Sequence, residues 1–510
     1  MEQEKNLEEE LKNVYNTQKE ISIIGQTAAL VDWDQKTYMP SEGIKDCSEK
    51  VSYLSKIAHE KMISKEFKDS IDYLLIPENF EKLNDKDRIV VKRLSKDVEK
   101  ATKLPVEFVE ELSRVAANAE SVWEEAKKEK NFEKFRPHLE KIVELKKEEA
   151  KLISLPGHPY NSLLDDFEEG MTVDKLQPTF EFLGKELTQL LKKIVSTEVY
   201  KNQNEDLFKK RVFGQKSQEK LAHMLKKMMG MPEKQSRLDV SMHPFTTTIG
   251  NKDIRITTRY INNPLESFGS TIHEGGHALY ELGLPEEYAN TVICNAPSYG
   301  IHESQSKFWE LIGKHESFWK HFYPKFKDTF KRQLKDVSFD EWYRINNIVK
   351  PSYIRIEADE LTYCMHIILR YEIEKGLMEG SIPVKEVPKI WNNKFEQMFG
   401  IRPRHDSEGC LQDTHWSGGA IGYFPSYALG TIYSAQLYNQ IVKENQGVIK
   451  EIENGKLENV VSWLRDKVHK YGRTLTTEEI ITKACGEGLN PEAWVKFLHD
   501  KYSKIYRFEK

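Results

Sequence analysis

Ile272-His273-Glu274-Gly275-Gly276-His277-Ala278 is the stretch that decides the reading of this chain. On a helix, His273 and His277 fall on one face, one turn apart. At that spacing both imidazoles can reach a single zinc ion at ~2.0–2.1 Å. Glu274 projects from the same side, where it can take a proton from a water activated by the ion. The pattern is H-E-x-x-H, and it points to metal-assisted peptide hydrolysis. Alone it is weak, because the chain carries 15 histidines, so the context must decide. Asn263-Pro264 reads as an N-cap and a first helical position, and Gly283 with Pro285 as a stop. Between them Phe268, Ile272, Leu279 and Leu282 are spaced as a buried face. Two glycines inside a helix each cost about 1 kcal/mol relative to alanine. Close approach of substrate or backbone is one reason to keep them. The plainer alternative is a core helix with two incidental histidines.

A zinc peptidase needs a third protein ligand, with the fourth position left for water. His302-Glu303-Ser304-Gln305 follows and opens a predicted helix from Glu303 to about Ile312, carrying Phe308, Trp309, Leu311 and Ile312. A glutamate on a second helix at about this distance is the arrangement of the glutamate-type zincins. The histidine variant, H-E-x-x-H-x-x-G-x-x-H, is absent. The bland alternative for Glu303 is a first-turn glutamate stabilised by the helix dipole.

Residues 245–260 break the helical pattern. Thr246-Thr247-Thr248-Ile249, then Gly250-Asn251, then Ile254, Ile256 and Thr258 read as two β-branched strands around a turn. This hairpin stands just before the histidine helix, where an edge strand could hold an extended peptide through main-chain hydrogen bonds. Elsewhere apolar spacing predicts helices from Leu7 to about Val31, from Pro105 through Trp123, and from Phe135 to Ile153. Further helices are predicted near 173–196, 215–230, 316–334, 339–348, 351–379, 384–399 and 428–452.

A chain of 510 residues with 39% hydrophobic content can form one large body around a cleft. Charged residues at 31% and a net charge of −5 describe a mildly acidic chain without a basic tract, which argues against nucleic acid. Residues 1–12 are charged and lack the apolar core of a secretory signal. Without a long apolar run, no membrane span is expected. The 5 cysteines, at positions 47, 294, 364, 410 and 485, form no C-x-x-C pair and read as free thiols in a reducing cytoplasm. No G-x-S-x-G elbow or phosphate loop competes with the metal reading.

The chain resembles the carboxypeptidase Taq family of metallocarboxypeptidases. The family's H-P-F motif is His243-Pro244-Phe245, and its D-x-R-x-T motif is Asp253-Ile254-Arg255-Ile256-Thr257. H-E-S-Q is His302 to Gln305, and I-R-x-x-A-D is Ile354-Arg355-Ile356-Glu357-Ala358-Asp359. G-x-x-Q-D-x-H-W is Gly409-Cys410-Leu411-Gln412-Asp413-Thr414-His415-Trp416, and Gly422-Tyr423-Phe424-Pro425-Ser426-Tyr427 also follows the pattern. Weaker echoes occur at Trp33-Asp34-Gln35, at Met39-Pro40, and from Tyr160 through Met171. Asp46-Cys47 departs from the small residue and arginine expected there.

The resemblance implies a mostly α, neurolysin-like gluzincin with a deep cleft and a small β-hairpin beside the active-site helix. It implies one metallocarboxypeptidase domain over 1–510: a helical lobe to about 235, metal and substrate motifs over about 236–430, and C-terminal helices beyond. It implies stepwise release of C-terminal amino acids with broad specificity, one zinc per chain replaceable by cobalt, a cytoplasmic location and a homodimer. His273, His277 and Glu303 would hold the metal, with Glu274 as general base. Tyr423 and His415 would support the developing oxyanion, since their motifs belong to the family's active site.

A carboxypeptidase also needs a cation for the free C-terminal carboxylate, best an arginine with its forked donors. Arg355 is the first candidate, on a predicted helix among apolar neighbours. Pairing with Asp359, four residues on, is the competing structural role. His243 and Arg255 are further candidates, although Asp253 could instead lock Arg255. Asp359 could alternatively orient a zinc histidine. Rival activities are an oligoendopeptidase or a dipeptidyl carboxypeptidase with the same metal motif. An inactive peptide-binding protein is a rival from another class, and the intact Glu274 argues against it.

Overall fold

The computed structural model describes residues 6–203 and 207–509, a helical chain around one small sheet. Residues 1–5, part of the charged N-terminal stretch, lie outside this description. Local signals account for many of the helix ends. Leu7–Thr37 starts on Asn6, whose side chain accepts from the Glu8 amide. Phe132–Ile153 starts on Asn131 and Val173–Val195 on Thr172 in the same way. Val106–Glu129 begins directly after Pro105. No helix among the described residues is long and apolar enough to cross a membrane.

The hairpin forms as the sequence predicts, with strand β2 at Thr246–Gly250 and β3 at Asp253–Thr258. A strand the sequence reading missed, β1 at Ser236–Val240, joins β3 in parallel, giving the order β1-β3-β2. β2 is therefore an edge. The Pro264–Glu281 helix that carries both histidines packs across β3 and β2. Along β2 lies a cavity of about 560 Å³ lined by Gln18, Ser22, Gln26, Thr248, Asn251 and Glu281, among others.

Two apolar cores support this arrangement. One runs from Ala119 to Tyr506 and includes Phe268, Ile272 and Leu279 of the histidine helix. The other holds the N-terminal helices together through Val14, Ile71, Leu74, Val90 and Leu94, and Ile293 from beyond the histidine helix inserts into it. Trp33, in the first helix, is buried beneath the Arg255 guanidinium, 4.4 Å from its ring centre, and so joins that helix to the sheet. At the departure from the family pattern, the buried Cys47 thiol lies 3.1 Å from Gln35 Oε1.

Some expected helices are divided or shifted. The stretch 351–379 is not one helix: a single 3-10 turn, Arg355–Glu357, precedes the helix Tyr363–Glu379. The cause is Asp359, which accepts from the Lys350, Leu361 and Thr362 amides and the Thr362 hydroxyl. Such side-chain capture of backbone donors favours a turn over a continuing helix. Arg355 thus stands on a turn, and Asp359 is occupied with backbone rather than with Arg355 or a metal-site histidine. The stretch 428–452 divides into Phe424–Glu444 and Val448–Glu453, where Asn445 Oδ1 accepts from the Gly447 amide. Helices Ile44–Met62, Lys65–Leu75 and Asp85–Lys103 went unread in the sequence.

Candidate active site

Three helices meet at the cluster that the H-E-x-x-H pattern predicts. The histidine helix starts on Asn263, whose side chain accepts from the Leu265 amide, with Pro264 at its first turn. The second helix, Tyr299–Lys314, starts four residues earlier than expected because Ser298 caps it through the Ile301 amide. Glu303 therefore lies in the second turn, past the reach of a simple first-turn dipole role. The third helix is Phe424–Glu444. Glycines allow the three to approach. A Cβ on Gly276 would lie 2.7 Å from Gln305 O and from Ser306 Cα. A Cβ on Gly430 would lie 2.8 Å from Glu303 Cβ. The helix bearing Glu303 is thus clamped between two glycine faces, and backbone approach explains Gly276.

The ligand atoms of His273, His277 and Glu303 all lie within 4.8 Å of one another. Glu303 Oε2 is 3.4 Å from His277 Nε2 and 3.9 Å from His273 Nε2. Donors ~2.0–2.1 Å from one tetrahedral ion stand roughly 3.3–3.5 Å apart, so this set fits a small divalent cation. His273 Nδ1 is 2.6 Å from Glu310 Oε1, which turns Nε2 toward the cluster. Burial favours a neutral His273, but Glu303 and Glu310 outweigh it and push the ring up to about 9, so the pocket calls for positive charge there. Burial and the neighbouring His302 push His277 down, which favours the neutral imidazole, the form able to bind a metal. Burial opposes the Glu303 charge too, yet His273, His277 and Lys307 hold its carboxyl down at about 2.

Glu274 is buried beside this cluster, and its Oε2 accepts a 2.7 Å hydrogen bond from Thr246 Oγ1 at the start of β2. The edge strand therefore orients the Glu274 carboxylate directly. Two residues along, Thr248 Oγ1 donates to Glu281 Oε2, and Glu281 Oε1 lies 3.0 Å from His302 Nε2. His302 in turn stacks on His277, with ring centres 4.5 Å apart. Glu281 and His302 also line a second cavity of about 540 Å³, which shares Asp97, Glu281, Asn295 and Arg473 with the cavity along β2. The two cavities thus share a wall at Glu281, and His302 links that wall to the cluster through its stacking on His277.

On the other side stands an aromatic wall. Tyr423 packs edge-on against Tyr299, Phe167 and Tyr427, with centres 5.1–5.3 Å away. Burial and the charge of Glu303 push its phenol up to about 12, so it stays protonated and able to donate. His415 stacks on Phe424 and sets Nε2 3.3 Å from Tyr427 Oη. Burial pushes it down to about 4, so it is neutral.

Arg355 is buried under this wall, and its ion-pair partner is Asp413, not Asp359. Arg355 Nε and Nη2 each lie 3.0 Å from Asp413 Oδ1, and Nη1 donates to Tyr363 Oη. Arg370 engages the other oxygen, with Nε donating to Asp413 Oδ2 at 2.7 Å. Burial works against the Asp413 charge, but Arg370 and Arg355 hold its carboxyl well below the usual carboxylate range. Two guanidiniums on one carboxylate leave this buried triad with one net positive charge. Arg255 is held by Asp253 at 2.7–2.9 Å as well as by Trp33. His243 is exposed in the loop that leads into β2.

The sequence reading missed Thr246, Glu310, Arg370 and the role of Asp413. Glu310 lies two turns after Glu303 on the same helix face, a spacing that could have flagged it. Thr246, Arg370 and Asp413 had no such signal, since their partners are distant in the chain.

A mostly helical body with an edge strand and this two-histidine, two-glutamate centre is a zincin-type metallopeptidase. The sequence pattern of the carboxypeptidase Taq (M32) metallopeptidase family matches residues 13–502, and the chain belongs to that family of metal-dependent carboxypeptidases. It is 38% identical over 498 residues to carboxypeptidase 1 of Bacillus subtilis, covering 97% of this chain and 98% of that one. It is likewise 38% identical over 497 residues to thermostable carboxypeptidase 1 of Pyrococcus furiosus, with the same coverage. The crystal structure of the M32 carboxypeptidase from Deinococcus radiodurans superposes with a TM-score of 0.94 at 32% identity, covering 98% of this chain and 100% of that chain.

Proposed function

We propose that this carboxypeptidase removes C-terminal residues singly and with broad side-chain tolerance, and that the charge of the Arg355–Asp413–Arg370 triad recognises the substrate's terminal carboxylate. The single net positive charge of that buried triad is the observation that carries the exopeptidase reading. His273, His277 and Glu303 would hold one divalent ion, with zinc favoured by the two-imidazole, one-carboxylate set and cobalt able to replace it. Bound there, the ion would polarise water and the scissile carbonyl.

The chain's own residues would do the rest. Glu274, steadied by Thr246, takes a proton from the attacking water and returns it to the leaving amine. Tyr423 donates its phenolic hydrogen to the developing oxyanion. His415 acts on that wall through Tyr427. The peptide lies along β2, with residues upstream of the cut in the cleft near Glu281. Main-chain pairing on an edge strand is indifferent to side chains, which suits broad tolerance. The ion pair with Asp253 favours a structural role for Arg255, while the exposed His243 remains available at the approach to β2.

We read residues 1–510 as one catalytic unit, supported by the apolar core that runs from Ala119 to Tyr506. Five unpaired cysteines fit a cytoplasmic location, and the homodimer rests on family resemblance. Mass spectrometry of a mixed peptide library, incubated with metal-loaded protein, tests the activity. A ladder of single C-terminal losses is expected. Dipeptide release or internal cuts would overturn the exopeptidase reading, and stoichiometric metal binding without hydrolysis would indicate a binding protein.

A further inference from the structure

Glu374 belongs to none of the motifs above, yet it touches both loops that carry the aromatic wall. It lies on the helix Tyr363–Glu379 and has no solvent exposure. Its Oε1 accepts from Trp416 Nε1 at 2.8 Å, and Trp416 directly follows His415. Its Oε2 accepts from the Gly422 amide at 3.0 Å, and Gly422 directly precedes Tyr423. The Tyr160 hydroxyl donates to the same Oε2. Two of the three partners, an indole N–H and a backbone N–H, can only donate.

Fixing Gly422 matters because this residue is hemmed in from the other side. Its φ is +104°, and a Cβ there would lie 2.7 Å from Leu163 O. The backbone just before Tyr423 is thus held between Leu163 and the Glu374 carboxylate. Tyr423 itself stands at the N-terminal end of the Phe424–Glu444 helix, so the peptide before it sets where its phenol points.

We propose that Glu374 is a positioning residue for the reaction: its carboxylate fixes the two active-site loops so that Tyr423 is aimed at the oxyanion. This rests on the role given to Tyr423 above. An ionised carboxylate suits the task, because three donors need two acceptor oxygens and a neutral amide supplies one. Burial pushes the Glu374 carboxyl up to about 7, against the pull of Tyr160, Gly422 and Trp416, so it is ionised in mildly alkaline solution.

The test is a double-mutant cycle on metal-loaded enzyme at mildly alkaline pH. Glu374→Gln keeps the volume but turns an N–H against either Trp416 or Gly422. Its kcat should fall roughly 10–100-fold, less than the ~10²–10³ that follows outright removal of an oxyanion donor. KM and bound metal should stay close to the parent values. In a Tyr423→Phe background the same substitution should cost less than about twofold, because the group it aims is gone. Equal losses in both backgrounds, or a loss confined to KM, would overturn the positioning role while leaving Tyr423 in place. Full turnover by Tyr423→Phe alone would overturn the Tyr423 assignment and this proposal with it. If Glu374→Gln does not fold, Trp416→Phe removes one donor, keeps an aromatic ring, and carries the same cycle with the same outcomes.

Discussion

Arg355→Ala separates carboxylate recognition from structural support, and the triad geometry sets the size of both effects. Removing Arg355 takes one of two guanidiniums from Asp413, while Arg370 remains at 2.6–2.7 Å. Asp413 is therefore never left alone. A one-to-one pair would have left a bare buried carboxylate, at about 3–5 kcal/mol. Here the folding loss should be limited to packing and to contacts with rings such as Tyr427, 5.0 Å away, on the order of 1–2 kcal/mol. Under the proposed role, by contrast, the substrate's carboxylate would lose the net positive charge of the triad. Removing one member of a desolvated charge pair costs about 2–5 kcal/mol, which is roughly a 30- to 4,000-fold fall in kcat/KM. Peptides blocked as C-terminal amides carry no such charge and should lose far less. The assay compares kcat/KM for matched free-acid and amidated peptides on variant whose fold is checked by thermal melting. Equal losses on the two peptide forms would refute the reasoning, and the terminal carboxylate would then have to be sought at another group, such as His243.

Three shorter predictions concern the metal centre. His273→Ala/His277→Ala should lose stoichiometric metal and activity while far-UV circular dichroism is largely kept; full metal occupancy would refute the ligand set. Glu274→Gln should still bind metal and peptide, yet turn over on the order of 10²–10⁴-fold more slowly, so near-normal turnover would assign the proton to another group. Gly276→Ala pushes a methyl to 2.7 Å from the backbone of the helix bearing Glu303. It should weaken metal affinity and lower the melting temperature, at about 1–3 kcal/mol for overpacking, and an unchanged metal titration would show that the two helices have slack.

Local chemistry made much of this protein legible in one dimension. The spacing of His273 and His277, the Asn263-Pro264 start and the Thr246–Thr258 hairpin depend on neighbours a few residues away, and each formed as read. Glu303 could be read because it shares a motif with His302 and stands on a helix of its own. What the sequence could not decide were partnerships across elements. Arg355 had an acid four residues on, but Asp359 caps a turn, and the arginine pairs instead with Asp413, 58 positions away. Thr246 meets Glu274 only because β2 lies across the histidine helix, and Glu310 meets His273 only because glycine lets two helices touch. Periodicity reports which face of an element is buried. Which buried charge faces which is decided by packing, since a charge removed from water must take the partner that the assembled core brings to it.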